Sequence, residues 1–334
     1  MAHGGSSTEP MPSETLHHTA FGVAEAHGPG WPQGLTALLD DAATSAPVRA
    51  LAIQALTQAH PRHLLARFMD LIADPDPRVR RATVEASTLL VPEDRVKVAG
   101  PALTDPDRDT RLAAGRALVG AEEELPADRA PHFVTARNEW VEDRRADTES
   151  PESWSALATL YAELGRADDA ERSLRRALAL EPGRASDWAS LSELYEATGR
   201  PDEAREALES GLVQQPDAPA LIHARGLAHI RAGRTEEALV DLGRAVELGP
   251  GSPRYAYVHV VAIADLQSEA EALEQLEGAL ARHPRDPQLL SLAVTLHERR
   301  GDREAALAAA RILEESDPGN PEYQALVLQL SHGG

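Results

Sequence analysis

The side chains best suited to chemistry in this chain are its thirteen histidines, two pairs of which stand close together. His17 and His18 are adjacent, and two residues separate His60 from His63. Imidazole pairs bind zinc when further ligands and an organised outer shell complete the site. The first pair lies in a leader without periodicity, and no carboxylate spacing completes the second. The sequence therefore predicts no metal site.

Paired carboxylates and nucleophile motifs are the other candidates for chemistry. The acidic runs at Glu122–Glu124 and at Asp40 and Asp41 are typical of solvated loops and helix ends. The chain has no G-x-S-x-G, P-loop or G-x-G-x-x-G segment, and therefore no recognisable nucleophile or phosphate cradle. It has no cysteine, which excludes disulfides, thiolate metal sites and covalent haem. We expect a protein that is not an enzyme and has no cofactor.

The charge balance limits the classes of partner. A net charge of −21 opposes binding to a phosphate backbone, so we expect no nucleic-acid partner. No stretch of the sequence is apolar enough to cross a bilayer, and we expect no membrane insertion. The leader lacks the basic start and apolar run of a signal peptide, which predicts a cytoplasmic protein. The alternative is a periplasmic location, if the sequence is part of a longer exported protein.

Prolines that recur every thirty-four residues organise the second half of the chain. They are Pro182, Pro216, Pro250, Pro284 and Pro318. In the first unit, apolar residues at i, i+3, i+4 and i+7 form one helical face, namely Trp154, Leu157, Ala158 and Tyr161. A second such face follows, in Ala170, Leu174, Ala177 and Leu178. Gly165 ends the first helix, and Pro182 ends the second. The spacing predicts five helix-turn-helix units, in which Ala170 and its counterparts allow the two helices to approach closely.

The W-x2-L-A-x2-Y pattern, followed by alanine and proline, resembles the tetratricopeptide repeat (TPR), which has the same period. The fourth unit departs from it, because Gln267 replaces the turn glycine. A sixth unit begins at Pro321 and stops, as a capping helix does. The resemblance implies a helical solenoid that binds other proteins or peptides.

A shorter repeat lies upstream. Val48-Arg49, Val79-Arg80 and Thr110-Arg111 are thirty-one residues apart, and an aspartate, Asp74 or Asp105, precedes each of the last two arginines by six residues. This pair resembles the Asp/Arg pair of HEAT repeats, which in that family forms a ladder between adjacent repeats. Alternatively, these charges only cap helices. Either role is structural.

These patterns predict an all-α fold, an α-α superhelix of short HEAT-like repeats followed by five TPRs and a capping helix. Five segments are expected: a disordered leader (1–33), HEAT-like repeats (34–120), a linking helix (121–150), five TPR units (151–320) and a capping helix (321–334).

The resemblance to TPRs also implies a concave groove lined by the first helix of each unit. Apolar, aromatic and cationic residues coincide in the third and fourth units, at His223, Leu227, Ile230, Arg231, Arg254, Tyr257 and Val261. Such a surface on an acidic protein suits a protein or peptide ligand that carries acidic and apolar residues. Alternatively, these residues only pack against neighbouring helices.

A closer resemblance concerns the order of the segments. HEAT-like units, a helix containing A-P-H-F-V-T-A-R-N-E-W, and TPRs containing R-Y-A-Y-V (254–258) are similar to the C-terminal half of certain bacterial multihaem c-type cytochromes. Without cysteine this chain attaches no haem covalently, so it is either a haem-free relative or a piece of a longer protein. The resemblance implies an accessory or docking role beside a redox-protein partner in an exported electron-transfer system.

The repeat period predicts how the chain responds to deletions, because each repeat contacts only its neighbours. Deletion of one whole unit, residues 219–252, should leave a folded and shorter helical array by circular dichroism. Deletion of residues 321–334 should expose the apolar edge of the fifth unit and lower solubility. Complete unfolding after the first deletion, with no effect of the second, would contradict the repeat organisation.

Overall fold

The structure is a computed structural model that describes residues 31–41, 43–56, 64–318 and 320–332. Of the predicted disordered leader (1–33), residues 1–30 lie outside these residues, as do the histidine pairs at His17, His18, His60 and His63, whereas residues 31–33 are helical. The chain divides into two compact units, one ending at Ala146 and the other beginning at Asp147. In the part of the chain just defined, no helix is long and apolar enough to cross a membrane.

The first unit is built from short helices in sequence-adjacent pairs. Its described helices are α1 (Trp31–Asp40), α2 (Ala46–Leu56), α3 (Leu65–Leu71), α4 (Pro77–Ala86), α5 (Pro92–Ala99), α6 (Arg108–Ala117) and α7 (Ala130–Ala146). Three 3-10 turns join them, at Ser87–Leu89, Pro101–Thr104 and Glu122–Glu124. Aspartates begin two of the helices: Asp76 accepts from the Arg78 N–H before α4, and Asp107 accepts from the Thr110 N–H before α6. The carboxylates of Glu122–Glu124 are exposed.

The predicted Asp/Arg ladder is formed. Arg49 Nη1 lies 2.8 Å from Asp74 Oδ2. Arg80 binds both oxygens of Asp105, with Nε and Nη2 donating at 2.7 and 2.8 Å. Burial alone would raise the pKa of Asp105, but the bonds from Arg80 and from the Asp107 N–H hold it below its usual range. The ladder therefore links an arginine in the helix of one repeat to the loop that begins the next repeat, beyond simple capping.

Helix α7 begins later than its pattern suggested, because a turn from Pro126 to Arg129 precedes it. Its predicted apolar residues, Phe133, Ala136 and Trp140, are buried. Gly115 allows α6 to lie close to it, since a Cβ atom at Gly115 would stand 2.5 Å from the backbone of Ala136.

The second unit contains five helix pairs and a final single helix. The first helices of the pairs are α8 (Pro151–Glu163), α10 (Ala185–Ala197), α12 (Pro219–Arg231), α14 (Pro253–Leu266) and α16 (Pro287–Arg299). The second helices are α9 (Ala167–Leu180), α11 (Pro201–Gln214), α13 (Thr235–Leu248), α15 (Glu269–Arg282) and α17 (Arg303–Ser316). Helix α18 (Pro321–His332) is the predicted cap. No strand occurs in the described residues, and the predicted all-α solenoid of repeats is confirmed.

Close contact between the helices of each pair depends on one alanine. The five equivalent alanines, Ala170, Ala204, Ala238, Ala272 and Ala306, are at most 1 % exposed. Trp154 and Trp188, expected on the core face, are only half-buried. Their indole N–H groups donate instead to backbone carbonyls at Thr148 and Pro182, which holds each ring at the edge of the core.

Glycine closes four of the five turns between paired helices. Gly165, Gly199, Gly233 and Gly301 have positive φ angles between 68° and 74°. Gln267 replaces this glycine and adopts a φ of −128°. Helix α14 is consequently one residue longer, and the Ser268 side chain caps α15 by accepting from the N–H groups of Ala270 and Glu271. The repeat register is kept without a left-handed residue.

One residue predicted for the ligand groove lies in the core instead. His223 is 5 % exposed, and neither of its ring nitrogens has a hydrogen-bond partner. Its ring packs on Tyr255 of the next repeat, with centroids 4.8 Å apart. Burial, and secondarily the charge of Arg254, lowers the pKa of His223 to about 4. His223 is therefore a neutral residue that packs between two repeats beneath the groove.

The buried ladder should make a large contribution to the stability of the first unit. Arg80→Leu leaves the Asp105 carboxylate buried and unpaired, and should lower the free energy of unfolding by about 3 kcal/mol or more in urea titrations. Arg81→Leu is the matched control, since Arg81 is exposed and 3.5 Å from Asp109, and should cost less than about 1 kcal/mol. Equal losses in the two variants would contradict a stabilising ladder.

His223 should make the stability of the second unit sensitive to acid. The unfolded chain takes up the proton near pH 6.5, whereas the folded state does so only near pH 4. The stability that depends on a neutral, buried His223 is therefore fully present above about pH 6.5 and is lost as the pH falls towards 4. Between pH 7 and pH 4.5, the free energy of unfolding of the wild type should fall by about 2 kcal/mol more than that of the His223→Phe variant. Parallel pH profiles from urea unfolding would show that His223 is accessible to solvent.

Candidate functional site

The predicted groove residues lie on two neighbouring first helices, α12 and α14. Leu227, Ile230, Tyr257 and Val261 are half-buried, as expected for side chains on the inner face of stacked repeats. Arg231 and Arg254 are exposed beside them. With His223 withdrawn into the core, six of the seven predicted side chains keep accessible surface.

The two arginines differ in their electrostatic environment. Arg231 Nη1 lies 3.9 Å from Glu196 Oε1 on α10, so part of its charge is already neutralised. Among the described residues, no carboxylate lies within 4.0 Å of the Arg254 guanidinium. Arg254 is therefore the stronger attractor of the two for an acidic group.

A cavity of about 580 Å³ opens between α14, α16 and α18. Its apolar wall contains Val261, Leu292 and Leu296, and a tyrosine stands on each side, Tyr257 from α14 and Tyr323 from α18. Its remaining lining residues are Ala264, Asp265, Pro287, Gln288, Ser291, Thr295 and Arg299. This cavity lies at the fourth and fifth repeats and the final helix, whereas the predicted residues lie on the third and fourth repeats.

The cavity and the predicted site overlap only in part. Tyr257 and Val261 belong to both the predicted site and the cavity. Tyr323 was assigned to a capping helix, and only the tertiary structure shows that this helix also forms one wall. The signal for it was present, since α18 continues the spacing of the first helices.

The lining of this cavity combines apolar groups with hydrogen-bonding groups. Tyrosine rings and branched aliphatic groups provide apolar contact, and the hydroxyl groups of Ser291 and Thr295 and the amide of Gln288 provide hydrogen bonds. The charges at the cavity partly offset each other, with Arg299 Nη1 lying 3.7 Å from Glu269 Oε1. In the residues that the structure describes, no group of three histidines or carboxylates is placed to hold a metal ion.

The inner surface of the first two repeats has a different character. Ser155 Oγ donates to Asp187 Oδ2 at 2.6 Å, and Arg184 Nε donates to the same oxygen at 2.7 Å. Arg184 also binds Glu152 across the repeat boundary, at 2.5 Å. These polar groups satisfy one another, which leaves little hydrogen-bonding capacity for a ligand.

The family comparisons agree with this architecture. Residues 161–227 and 264–321 each match a model of the tetratricopeptide repeat, and residues 32–119 match a model of HEAT repeats. No curated protein matches the sequence.

Several solved TPR proteins have similar folds. PilW, a widely conserved type IV pilus biogenesis factor, is 20% identical over 60% of this chain and 93% of its own, with a TM-score of 0.47. A thermophilic TPR protein from Thermus thermophilus is 20% identical over 55% of this chain and 99% of its own, with a TM-score of 0.43. YrrB, a TPR protein with an unusual peptide-binding site, is 19% identical over 57% of this chain and 96% of its own, with a TM-score of 0.38.

The helix pairs and the Asp/Arg ladder show an all-α repeat protein, whose residues 32–119 are similar to HEAT repeats and whose residues 161–227 and 264–321 are similar to tetratricopeptide repeats.

Proposed function

We propose that this chain is a non-enzymatic scaffold that binds a protein or peptide segment along the inner surface of its third to fifth TPRs. The ligand segment carries apolar and acidic residues. The observation that carries this proposal is the cavity between Tyr257 and Tyr323, which lies one helical turn from the unpaired Arg254.

The apolar part of the ligand is assigned from the cavity wall. Val261, Leu292 and Leu296 offer a dry surface, and the flanking tyrosine rings offer wide contact at a low entropic cost. Binding energy at protein interfaces is concentrated in a few such anchors, with tyrosine and arginine enriched among them. A leucine or aromatic side chain inserted here would be shielded by its neighbours.

The acidic part of the ligand is assigned from the distribution of charge. The chain as a whole carries −21 and repels an acidic ligand at long range. Among the residues that the structure describes, Arg254 is an exposed cation without an ion pair, so a carboxylate gains attraction there without displacing one of them. The self-satisfied network of Glu152, Ser155, Arg184 and Asp187 disfavours the first two repeats as a binding surface.

The proposal is tested with peptides selected from a displayed random library on the wild-type protein. Tyr257→Ala combined with Arg254→Ala should lower the affinity for a selected peptide by about thirtyfold or more, because both an apolar anchor and the cation are lost. Fluorescence anisotropy measures this affinity. Part of that loss should disappear at high salt, which screens the exposed charge of Arg254. Arg205→Ala, an exposed change on α11, is the matched control and should have no effect.

A second pair of variants decides which repeats hold the ligand. Leu227→Ala with Arg231→Ala tests the third repeat, whereas Leu292→Ala with Tyr323→Ala tests the cavity at the fifth repeat and cap. Loss of affinity from both pairs would place the ligand across all three repeats. Unchanged affinity in the Tyr257, Leu292 and Tyr323 variants, with intact helical spectra, would refute groove binding.

An alternative function is that of an accessory or docking subunit of an exported multihaem electron-transfer system. It is favoured by the order of the matched segments, HEAT repeats at 32–119 before TPRs from residue 161 onward. None of the matches reported above is to a cytochrome. This alternative requires a periplasmic protein, whereas the scaffold proposal keeps the cytoplasmic expectation. A C-x-x-C-H segment and an export signal encoded directly upstream would favour the alternative.

A further inference from the structure

The Asp/Arg ladder of the first unit stops at Arg111, and its last position is unoccupied. Arg49 pairs with Asp74 and Arg80 pairs with Asp105, in each case across twenty-five residues. The residue twenty-five positions after Arg111 is Ala136. It lies within the continuous helix α7, where the two earlier repeats have a loop with an aspartate.

Arg111 keeps half of the contacts that Arg80 makes. Arg80 Nη1 donates to the carbonyl oxygens of Asp74 and Pro75 at 2.8 and 3.1 Å, and Arg111 Nη1 donates to those of Asp105 and Pro106 at 2.7 and 3.1 Å. In Arg80 the remaining Nε and Nη2 groups hold a carboxylate. In Arg111 the same two groups have no partner among the described residues.

A cavity of about 210 Å³ lies beside Arg111, between α6, α7 and the turn at Pro101–Thr104. Its other lining residues are Leu103, Thr104, His132, Thr135, Ala136 and Glu139. The backbone carbonyls fix the guanidinium from one side, so it needs little further ordering to accept an anion. Glu139 lines the same cavity and repels anions, so a ligand with a single negative charge is favoured over one with two.

We propose that this cavity is a binding site for a carboxylate, held by Arg111 Nε and Nη2 in the bidentate manner in which Arg80 holds Asp105. Paired charge-assisted bonds of this kind are the strong interactions of arginine and select planar carboxylates. The site lies in the first unit and is independent of the TPR groove. Its ligand is either a small free carboxylate or an aspartate or glutamate side chain of a partner protein.

The test titrates the full chain with three probes at constant ionic strength and follows the backbone amide resonances of Thr104 and Thr135. The probes are acetate, N-acetyl-aspartate amide, and N-acetyl-asparagine amide as the neutral control. The carboxylate probes should cause saturable shifts that the asparagine probe does not cause. Saturation by the aspartate probe alone would assign the site to a partner's side chain, whereas saturation by acetate as well would assign it to small carboxylates.

Three variants make the test specific to Arg111. Arg111→Gln should abolish the shifts, and the exposed Arg108→Gln on the same helix should leave them unchanged. Thr135→Asp places a competing carboxylate at the cavity from an exposed helical position, where the substitution should not disturb the fold. It should lower the affinity for the aspartate probe by about tenfold or more. The proposal is overturned if wild-type protein shows no saturable shift, or if Arg111→Gln and Thr135→Asp bind as the wild type does.

Discussion

Close packing of two helices at a single alanine is the constraint on which the second unit depends. Neither helix of a TPR can bury its apolar face alone, and the fully buried alanine of each second helix lets the first helix approach closely. Any larger side chain at Ala204 or Ala238 would force the pair apart. Because this contact uses only one face of each first helix, the opposite face is free to vary in composition from repeat to repeat.

That freedom explains why neighbouring repeats with the same fold differ in surface chemistry. In the first two repeats, part of the inner face is occupied by an internal network centred on Arg184 and Asp187. In the fourth and fifth, the equivalent surface presents Tyr257, Val261 and Thr295 around an open cavity, with Arg254 unpaired nearby. Repeats with the same backbone geometry therefore present two kinds of surface. In one, the polar groups bond to each other, and in the other, side chains remain accessible to a ligand.

Both cavities considered as binding sites occur where a series of repeats ends. Inside a series, the following repeat covers or pairs these groups: Asp105 pairs with Arg80, and the ring of Tyr255 packs on His223. At the end, the successor is absent or altered. At the end of the first series, Arg111 lies beside Ala136 of helix α7, where an aspartate would otherwise pair with it. At the end of the second series, α18 lines the cavity but has no second helix to pair with. Repeat proteins thus acquire unsatisfied groups at their ends without any change in the repeat itself.

The sequence alone determined the elements of this protein and their register. Local signals, such as the prolines every thirty-four residues and the turn glycines, act within one repeat, and they placed the helix pairs and the Asp/Arg pairs correctly. Gln267 interrupted one signal without displacing α15, since the apolar spacing on both sides still fixed the register.

The tertiary structure decided which side chains stay accessible. His223 and Tyr257 occupy equivalent positions in adjacent repeats, yet the ring of Tyr255 buries the former, while Tyr323 and Leu292 leave the latter beside a cavity. Accessibility depends on the neighbouring repeats, and the pattern of a single repeat carries no information about them.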